Sequence, residues 1–148
     1  MENKLWDHLL QEGYKKIKLR LTQTNHFEVR ASINGVKGLF ILDTGASNSC
    51  IGFEDVDFFN LKAKASNIKA AGAGATDMLT QTASKNTIKI DSWKSLNLTL
   101  VLFDLTHVNT ALTMHNAKPV NGIIGADVLK KGKAIIDYNK KYLYLKSL

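Results

Sequence analysis

The chain has 148 residues and a mass of 16.4 kDa, a size that fits one domain. Apolar residues make up 45% and charged residues 22%, which permits a packed core and excludes a largely disordered chain. A single Cys excludes a disulfide framework and a thiolate metal cage. The net charge is +7, but the basic residues are Lys except for Arg20 and Arg30 and show no stripe interleaved with aromatics, which argues against nucleic-acid binding.

The N-terminus has no basic start followed by an apolar run, so we expect no signal peptide. The wholly apolar run at residues 39–42 is far too short to span a membrane, so we expect no membrane partner. Together with the lone Cys, these features predict a soluble protein of a reducing compartment, the cytoplasm.

The first half of the chain predicts one helix and three strands. An apolar stripe at Leu5, Trp6, Leu9 and Leu10 predicts a short helix over 3–12. Alternating apolar residues predict strands over 17–21 and 27–33, and a wholly apolar return strand over 38–42 is expected to be buried on both faces. Between the last two, Asn34-Gly35 is typical of a two-residue hairpin turn.

The second half predicts further short elements. Short helices are expected over 53–61, 107–117 and 126–131, and strands over 78–90, 96–105, 134–137 and 142–145. The stretch 69–76 consists mostly of small residues and is expected to be flexible. The tally favours a mainly β protein, a small barrel or sandwich with a few short helices.

The most informative segment reads Leu42-Asp43-Thr44-Gly45-Ala46-Ser47. Its carboxylate follows directly on a strand predicted to be buried on both faces. Because burying an unpaired charge is costly, such an Asp is expected to be paired, hydrogen-bonded or neutral. Gly45 allows a tight turn and a close backbone approach. The plain alternative is an Asx-type turn, in which Asp43 accepts hydrogen bonds from backbone N–H groups at the strand end.

A second segment, Val120-Asn121-Gly122-Ile123-Ile124-Gly125-Ala126-Asp127-Val128-Leu129, again runs from apolar residues through Gly into a short helix. Together the two segments resemble retropepsin-like aspartic proteases, the retroviral proteases and their bacterial relatives, over about residues 27–148. The resemblance implies a small closed β-barrel of the retropepsin type with a few short helices. We expect a single domain, 1–148, in which residues 1–25 form an N-terminal extension of uncertain role.

The resemblance also implies a function, that of an aspartic endopeptidase. Asp43 would be the catalytic residue, with Thr44 and Gly45 in its motif, and no metal or cofactor would be needed. Because the chain has one such motif, a working site requires a homodimer in which two Asp43 carboxylates share one proton and activate a water. Thr44 would bond to the partner's backbone, and the substrate would be an extended peptide or an unfolded protein segment.

Other residues are assigned roles around this centre. We expect Ala46, Gly72, Ala73 and Gly74 to bind substrate, the last three from a flap hairpin; the alternative is an ordinary Gly-rich loop. Pepsin-like enzymes usually carry Ser where this chain has Ala46, and the missing hydroxyl predicts an activity optimum in mildly acidic to near-neutral conditions rather than strongly acidic ones.

The remaining acidic residues are expected to be structural or to lack a companion motif. Asp127 is expected in the first turn of a helix, at the positive end of its dipole, and Asp137 in a turn. Asp91 and Asp104 lie near predicted strand ends with no companion motif.

The other reactive side chains predict no second site. The four His residues show no i, i+4 pair, so no metal site is expected. Cys50 is expected to be a buried apolar residue, and Ser47 and Ser49 lack a nucleophile-elbow sequence. The stripe at Leu5–Leu10 is expected to pack on the core, with cover of a sheet edge or a dimer contact as alternatives.

Two other functions stay open at this point. The chain could be a non-catalytic relative that keeps the fold and binds peptides or dimerises. It could also be a Lys-driven module for nucleic acid or an acidic partner, for which affinity would fall steeply with salt.

Overall fold

The computed structural model describes residues 4–65, 70–72 and 75–148. These residues form three α-helices, α1 (Lys4–Gln11), α2 (Thr106–Met114) and α3 (Ala126–Lys131). They also form thirteen strands: β1 (Tyr14–Lys18), β2 (Arg20–Leu21), β3 (Phe27–Ile33), β4 (Val36–Leu42), β5 (Cys50–Gly52), β6 (Lys64–Ala65), β7 (Ala70–Gly72), β8 (Ala75–Met78), β9 (Gln81–Ile90), β10 (Trp93–Phe103), β11 (Gly122–Ile124), β12 (Ile135–Asp137) and β13 (Tyr142–Lys146).

Six of these strands close into a barrel. Around the ring the order is β3, β4, β11, β5, β10 and β9, and the pairing of β9 with β3 closes it. The pairs β4–β11 and β5–β10 are parallel, and the other pairs of the ring are antiparallel. The predicted small closed β-barrel with a few short helices is therefore confirmed.

The barrel interior is filled by the apolar positions of the alternating strands. On β3 the inward residues Phe27, Val29, Ala31 and Ile33 are all buried, as the period-two pattern predicts. Trp93 is also fully buried, and its indole N–H donates to the backbone carbonyl of Lys146 (2.8 Å). Each such large side chain contributes about 1.5–3 kcal/mol by leaving water.

The turn between β3 and β4 has the predicted hairpin geometry. Asn34 and Gly35 both have positive φ, 52° and 82°, as a two-residue turn matched to the strand twist requires. The Asn34 side chain donates to the backbone carbonyl of Phe59 (3.0 Å) and to the side chain of Asn86 (2.9 Å). The turn is thereby tied to two other parts of the barrel.

Several predicted elements differ from the structure. The helix predicted over 53–61 is only a 3₁₀ helix, Phe53–Asp55, followed by turns, because Phe59 is buried in the core and Asn60 takes a positive φ of 56°. The strand predicted over 17–21 starts at Tyr14 and is interrupted at Leu19, whose N–H donates to the backbone carbonyl of Lys141.

Three other predicted boundaries also shift. The strand predicted over 78–90 is two strands, because β8 pairs with β7 whereas β9 pairs with β3, β6 and β10. The strand predicted over 96–105 starts three residues earlier and ends at Phe103. The helix predicted over 107–117 ends at Met114.

The N-terminal extension is part of the folded domain. β1 pairs antiparallel with β13 along its whole length, in a second sheet of order β1-β13-β12. In α1, Trp6 stacks on Tyr144 with ring centroids 5.9 Å apart, and Leu9 is buried. Leu5 and Leu10 are exposed, so only half of the predicted stripe packs inward. No helix in the described ranges is long and apolar enough to cross a bilayer.

We predict that Ile17→Ala, in β1, lowers the free energy of unfolding by about 2–5 kcal/mol, because Ile17 is 3% exposed and belongs to the barrel core. The adjacent Lys18→Ala is the matched control, since Lys18 is exposed, and it should change stability by less than about 0.5 kcal/mol. Urea unfolding measures both. Equal, small effects would show that the extension does not stabilise the domain.

Candidate active site

The Asp43 loop, residues 43–49, joins β4 to β5 at one end of the barrel. β11 runs between these two strands, parallel to β4 and antiparallel to β5. The Asp43 N–H donates to the carbonyl of Ile124 (2.9 Å), and the Ala126 N–H donates to the carbonyl of Ala46 (2.7 Å). The second sequence segment therefore holds the Asp43 loop through backbone hydrogen bonds.

Two glycines of the second segment make this close crossing possible. A Cβ at Gly122 would lie 2.1 Å from the carbonyl oxygen of Cys50, and one at Gly125 would lie 2.6 Å from that of Ala46. These distances are too short for any side chain, so both positions require glycine for space rather than for a special φ. Gly125 thus reflects direct backbone contact with the Asp43 loop, and Gly122 reflects direct backbone contact with the start of β5.

Asp43 itself is exposed at the mouth of the barrel, although Ile41 and Leu42 just before it are buried. Its Oδ1 accepts a hydrogen bond from the Gly45 N–H (2.9 Å). A Cβ at Gly45 would lie 3.3 Å from the same oxygen, so glycine leaves room for the carboxylate. The carboxylate is hydrogen-bonded, in the way an Asx-type turn requires, and within the subunit it faces solvent.

Thr44 and Ala46 have different surroundings. Thr44 is exposed and lines a shallow depression together with Leu129, Ala134 and Ile136. Ala46 is half-buried, and its methyl group packs against the small apolar cluster that includes Cys50.

Asp127 lies in the first turn of α3 and holds the end of the Asp43 loop. Both of its carboxylate oxygens lie 3.0 Å from the Ser49 N, and Oδ1 also accepts from the Ser49 hydroxyl (2.7 Å) and from the Val128 N–H (2.8 Å). The Ser49 hydroxyl in turn accepts the Gly125 N–H (2.9 Å). This network makes Asp127 a positioning group.

The sequence was used only to reject Ser49 as a nucleophile, and its structural role was not predicted: Ser49 is 1% exposed and joins the two segments. Its neighbours in the chain are not diagnostic, because its partners Gly125 and Asp127 lie more than seventy residues away. The available signal was the position of Ser49 directly before the apolar strand β5. A hydroxyl that is buried at such a position needs a hydrogen-bond partner, which would have indicated a contact with another segment.

The other acidic residues singled out in the sequence stabilise turns. Asp104 accepts hydrogen bonds from the hydroxyl and the backbone N–H of Thr106, and these bonds lower the pKa of its carboxyl. Asp137 accepts from the Lys140 N–H (2.9 Å), and Asp91 takes a positive φ of 53° at the β9–β10 turn.

The predicted flap residues are only partly within the described ranges. Gly72 ends β7, which pairs antiparallel with β8, so this stretch forms the two arms of a hairpin. Ala73 and Gly74 lie outside the described residues. In the part of the chain that the structure describes, no cluster of His, Cys, Asp and Glu is arranged to hold a metal ion.

Cys50 is buried directly behind the Asp43 loop, as expected. Burial, together with the negative charges of Asp127 and Asp43, raises the pKa of its thiol to about 12. The thiol donates to the carbonyl of Asn48 (3.1 Å).

We predict that Cys50 resists alkylation in the folded protein. With a thiol pKa of about 12, only about one molecule in ten thousand carries the reactive thiolate at pH ~8. Iodoacetamide followed by intact mass measurement should show no adduct in native buffer and one adduct in guanidinium chloride. Rapid labelling of the native protein would contradict this packing of the loop.

Comparison with known protein families identifies the family of the chain. Residues 29–128, about two thirds of the chain, match the family model of aspartyl proteases. No curated protein sequence matches the chain.

Similar solved structures share the fold. They include a retropepsin-like aspartic protease from Rickettsia conorii (TM-score 0.60, 22% identity, covering 89% of this chain and 90% of that one) and EIAV protease with the inhibitor HBY-793 (0.58, 18%, 80% and 98%). A third is the retroviral protease-like domain of Ddi1 from Leishmania major (0.54, 14%, 89% and 90%). The chain therefore belongs to the aspartyl protease family and has the retropepsin fold.

Proposed function

We propose that the protein is an aspartic endopeptidase that is active as a homodimer, with Asp43 of each subunit as the catalytic residue. The observation that carries the proposal is the position of Asp43, exposed on a hydrogen-bonded turn that a glycine-mediated strand crossing holds from behind. Family membership supports a protease. The substrate would be a peptide or an unfolded protein segment.

The chemistry follows from two like charges brought close together. Two carboxylates in contact do not both ionise, so the pair retains one proton. The ionised carboxylate takes a proton from a water, and the protonated one donates to the carbonyl oxygen of the scissile peptide. The attack forms a bond from the water oxygen to the carbonyl carbon. The C–N bond then breaks as the leaving nitrogen takes the proton that the first carboxylate accepted from the water, and the second carboxylate regains its proton from a hydroxyl of the intermediate. This division of labour needs no cofactor or metal.

The second carboxylate is best supplied by another copy of the chain. Asp127 is the best candidate for a second carboxylate within the subunit, but its oxygens already accept hydrogen bonds from Ser49 and Val128. Converting it to a catalytic acid would remove the bonds that hold the Asp43 loop. A two-fold axis through the catalytic water would supply an identical, exposed Asp43 instead.

The sheet β1-β13-β12 offers a surface for this dimer. Its β1 edge carries Lys15, Lys16 and Lys18, and charged edges resist pairing with another strand. Its β12 edge carries half-buried Ile135 and Ile136 instead. Ile136 shares the depression with Thr44, so pairing of β12 with β12 of a second copy would bring the two Asp43 loops together.

The remaining site assignments are part of the same proposal. The β7–β8 hairpin would act as a flap, with Gly72, Ala73 and Gly74 meeting the substrate backbone. Ala46 would line the site and leave the carboxylate pair without a hydroxyl donor, which favours activity in mildly acidic to near-neutral conditions.

We predict that Asp43→Asn lowers the rate of casein cleavage by about 10²–10⁴-fold, because the amide cannot accept the proton of the water. The matched control is Asp57→Asn, an exposed carboxylate outside the site, which should leave the rate unchanged. Cleavage is measured with denatured casein across the range from gastric acidity to neutrality. Both variants should keep the melting temperature of the parent protein.

The non-catalytic alternative makes the opposite prediction. A dimer that binds peptide but cleaves none at any pH, or cleavage that Asp43→Asn retains, would overturn the protease assignment.

We predict that Ile136→Lys converts the dimer to a monomer and abolishes cleavage, because a charge on β12 opposes edge pairing. Val36→Lys is the control, since Val36 is also a half-buried residue packed on the barrel core but lies at the β3–β4 hairpin. Sedimentation velocity measures mass and casein measures activity. If the Ile136 variant keeps the dimer mass, or the Val36 variant loses it equally, the β12 interface is wrong.

A further inference from the structure

A cavity of about 550 Å³ lies between α2 and the turn at residues 23–26. Its floor is apolar and includes Ile41, Val108 and Leu112. Its rim carries His26, His107 and His115, three of the four histidines of the chain. We call this cavity the histidine pocket; its volume is in the range of pockets that bind ligands.

The pocket lies on the same face of the barrel wall as Asp43. Side chains alternate along β4, so Ile41 in the pocket floor and Asp43 project to the same side, opposite to buried Leu42. The antiparallel pairing of β3 and β4 ends at Phe27 with Leu42. Just beyond this pair, His26 precedes β3 and Asp43 follows β4. One wall of the pocket is therefore adjacent to the proposed catalytic residue.

Hydrogen bonds hold both walls of the pocket in place. On α2, the Asn109 side chain donates to the carbonyl of Val120 (3.1 Å) and accepts from the Val120 N–H (2.7 Å), which ties the helix to the lead-in of β11. On the opposite wall, Nδ1 of His26 lies 2.8 Å from the Thr24 hydroxyl. This contact orients the ring and leaves its other nitrogen, Nε2, outside the bond to Thr24.

The chemistry of the lining selects an acidic ligand. Imidazole N–H groups are hydrogen-bond donors, and no carboxylate is found among the residues that line the pocket in the described part of the chain. The nearby Asp104 interacts with His107, but its Oδ1 already accepts from Thr106. The three imidazoles are not arranged to hold a metal ion. A carboxylate on an apolar stem matches both the rim and the floor.

We propose that the histidine pocket is a specificity subsite that binds an acidic side chain of the substrate, a Glu a few residues from the scissile bond. The inference rests on the proposed protease function. Glu places its methylene groups on the apolar floor and its carboxylate within reach of the imidazoles. Charge-assisted hydrogen bonds are stronger than neutral ones, so Glu is preferred over the isosteric Gln.

The test compares matched peptides that carry Glu, Gln or Leu at each position around a cleavage site mapped in casein. At pH ~6 we expect kcat/KM to be about tenfold higher for Glu than for Gln at one position. The double variant His107→Leu/His115→Leu should abolish that preference while still cleaving the Leu peptide. His8→Leu, on α1 outside the pocket, is the control and should retain the preference.

A binding measurement gives a readout that is independent of cleavage. In Asp43→Asn, the Glu peptide should shift the imidazole C–H NMR signals of His26, His107 and His115 and leave that of His8 unchanged. Cleavage without any Glu preference, or equal shifts with the Glu and Gln peptides, would overturn the subsite and leave the protease proposal standing. If the parent protein cleaves none of the peptides, the protease proposal is wrong. The NMR result would then decide whether the pocket binds acidic peptides.

Discussion

The site depends on one steric constraint, the close contact of backbone from two distant segments. β11 passes between the strands that flank the Asp43 loop, and at Gly122 and Gly125 there is no room for a Cβ. Because the contact is between backbones, it holds the loop by main-chain hydrogen bonds, such as that from the Asp43 N–H to Ile124. The loop can therefore carry an exposed carboxylate and still keep a defined geometry.

A polar network around Ser49 also holds the Asp43 loop. Ser49 is buried, and a buried hydroxyl without partners would be costly, so its bonds to Gly125 and Asp127 stabilise the end of the loop. Asp127 is thereby engaged within the subunit. The same network that positions Asp43 also removes the best internal candidate for a second catalytic acid, which is the physical reason for proposing a second copy of the chain.

The N-terminal residues pack against the rest of the chain, because β1 pairs with β13. β1 covers one edge of β13 with a strand rich in Lys, while β12 leaves an apolar edge beside Thr44. α2 adds a wall to the face of the barrel on which Asp43 lies, and with it two histidines. β12 and α2 both lie near the Asp43 loop, so the proposed dimer contact and the proposed substrate subsite would be set by elements around the strand crossing.

The alternating strands and the Asn34-Gly35 turn could be predicted from the sequence, because they are local patterns of side-chain period and backbone freedom. The link between the Asp43 motif and residues 120–129 was predicted from their resemblance to a protein family, since the two segments lie far apart in the chain. Three features became apparent only in the folded chain: the predicted helix over 53–61 is a 3₁₀ helix followed by turns, Asp43 is exposed, and Ser49 joins the two segments. Burial of Phe59 and the pairing of Ser49 with Asp127 arise from contacts between distant residues, and such contacts leave no periodic trace in the sequence.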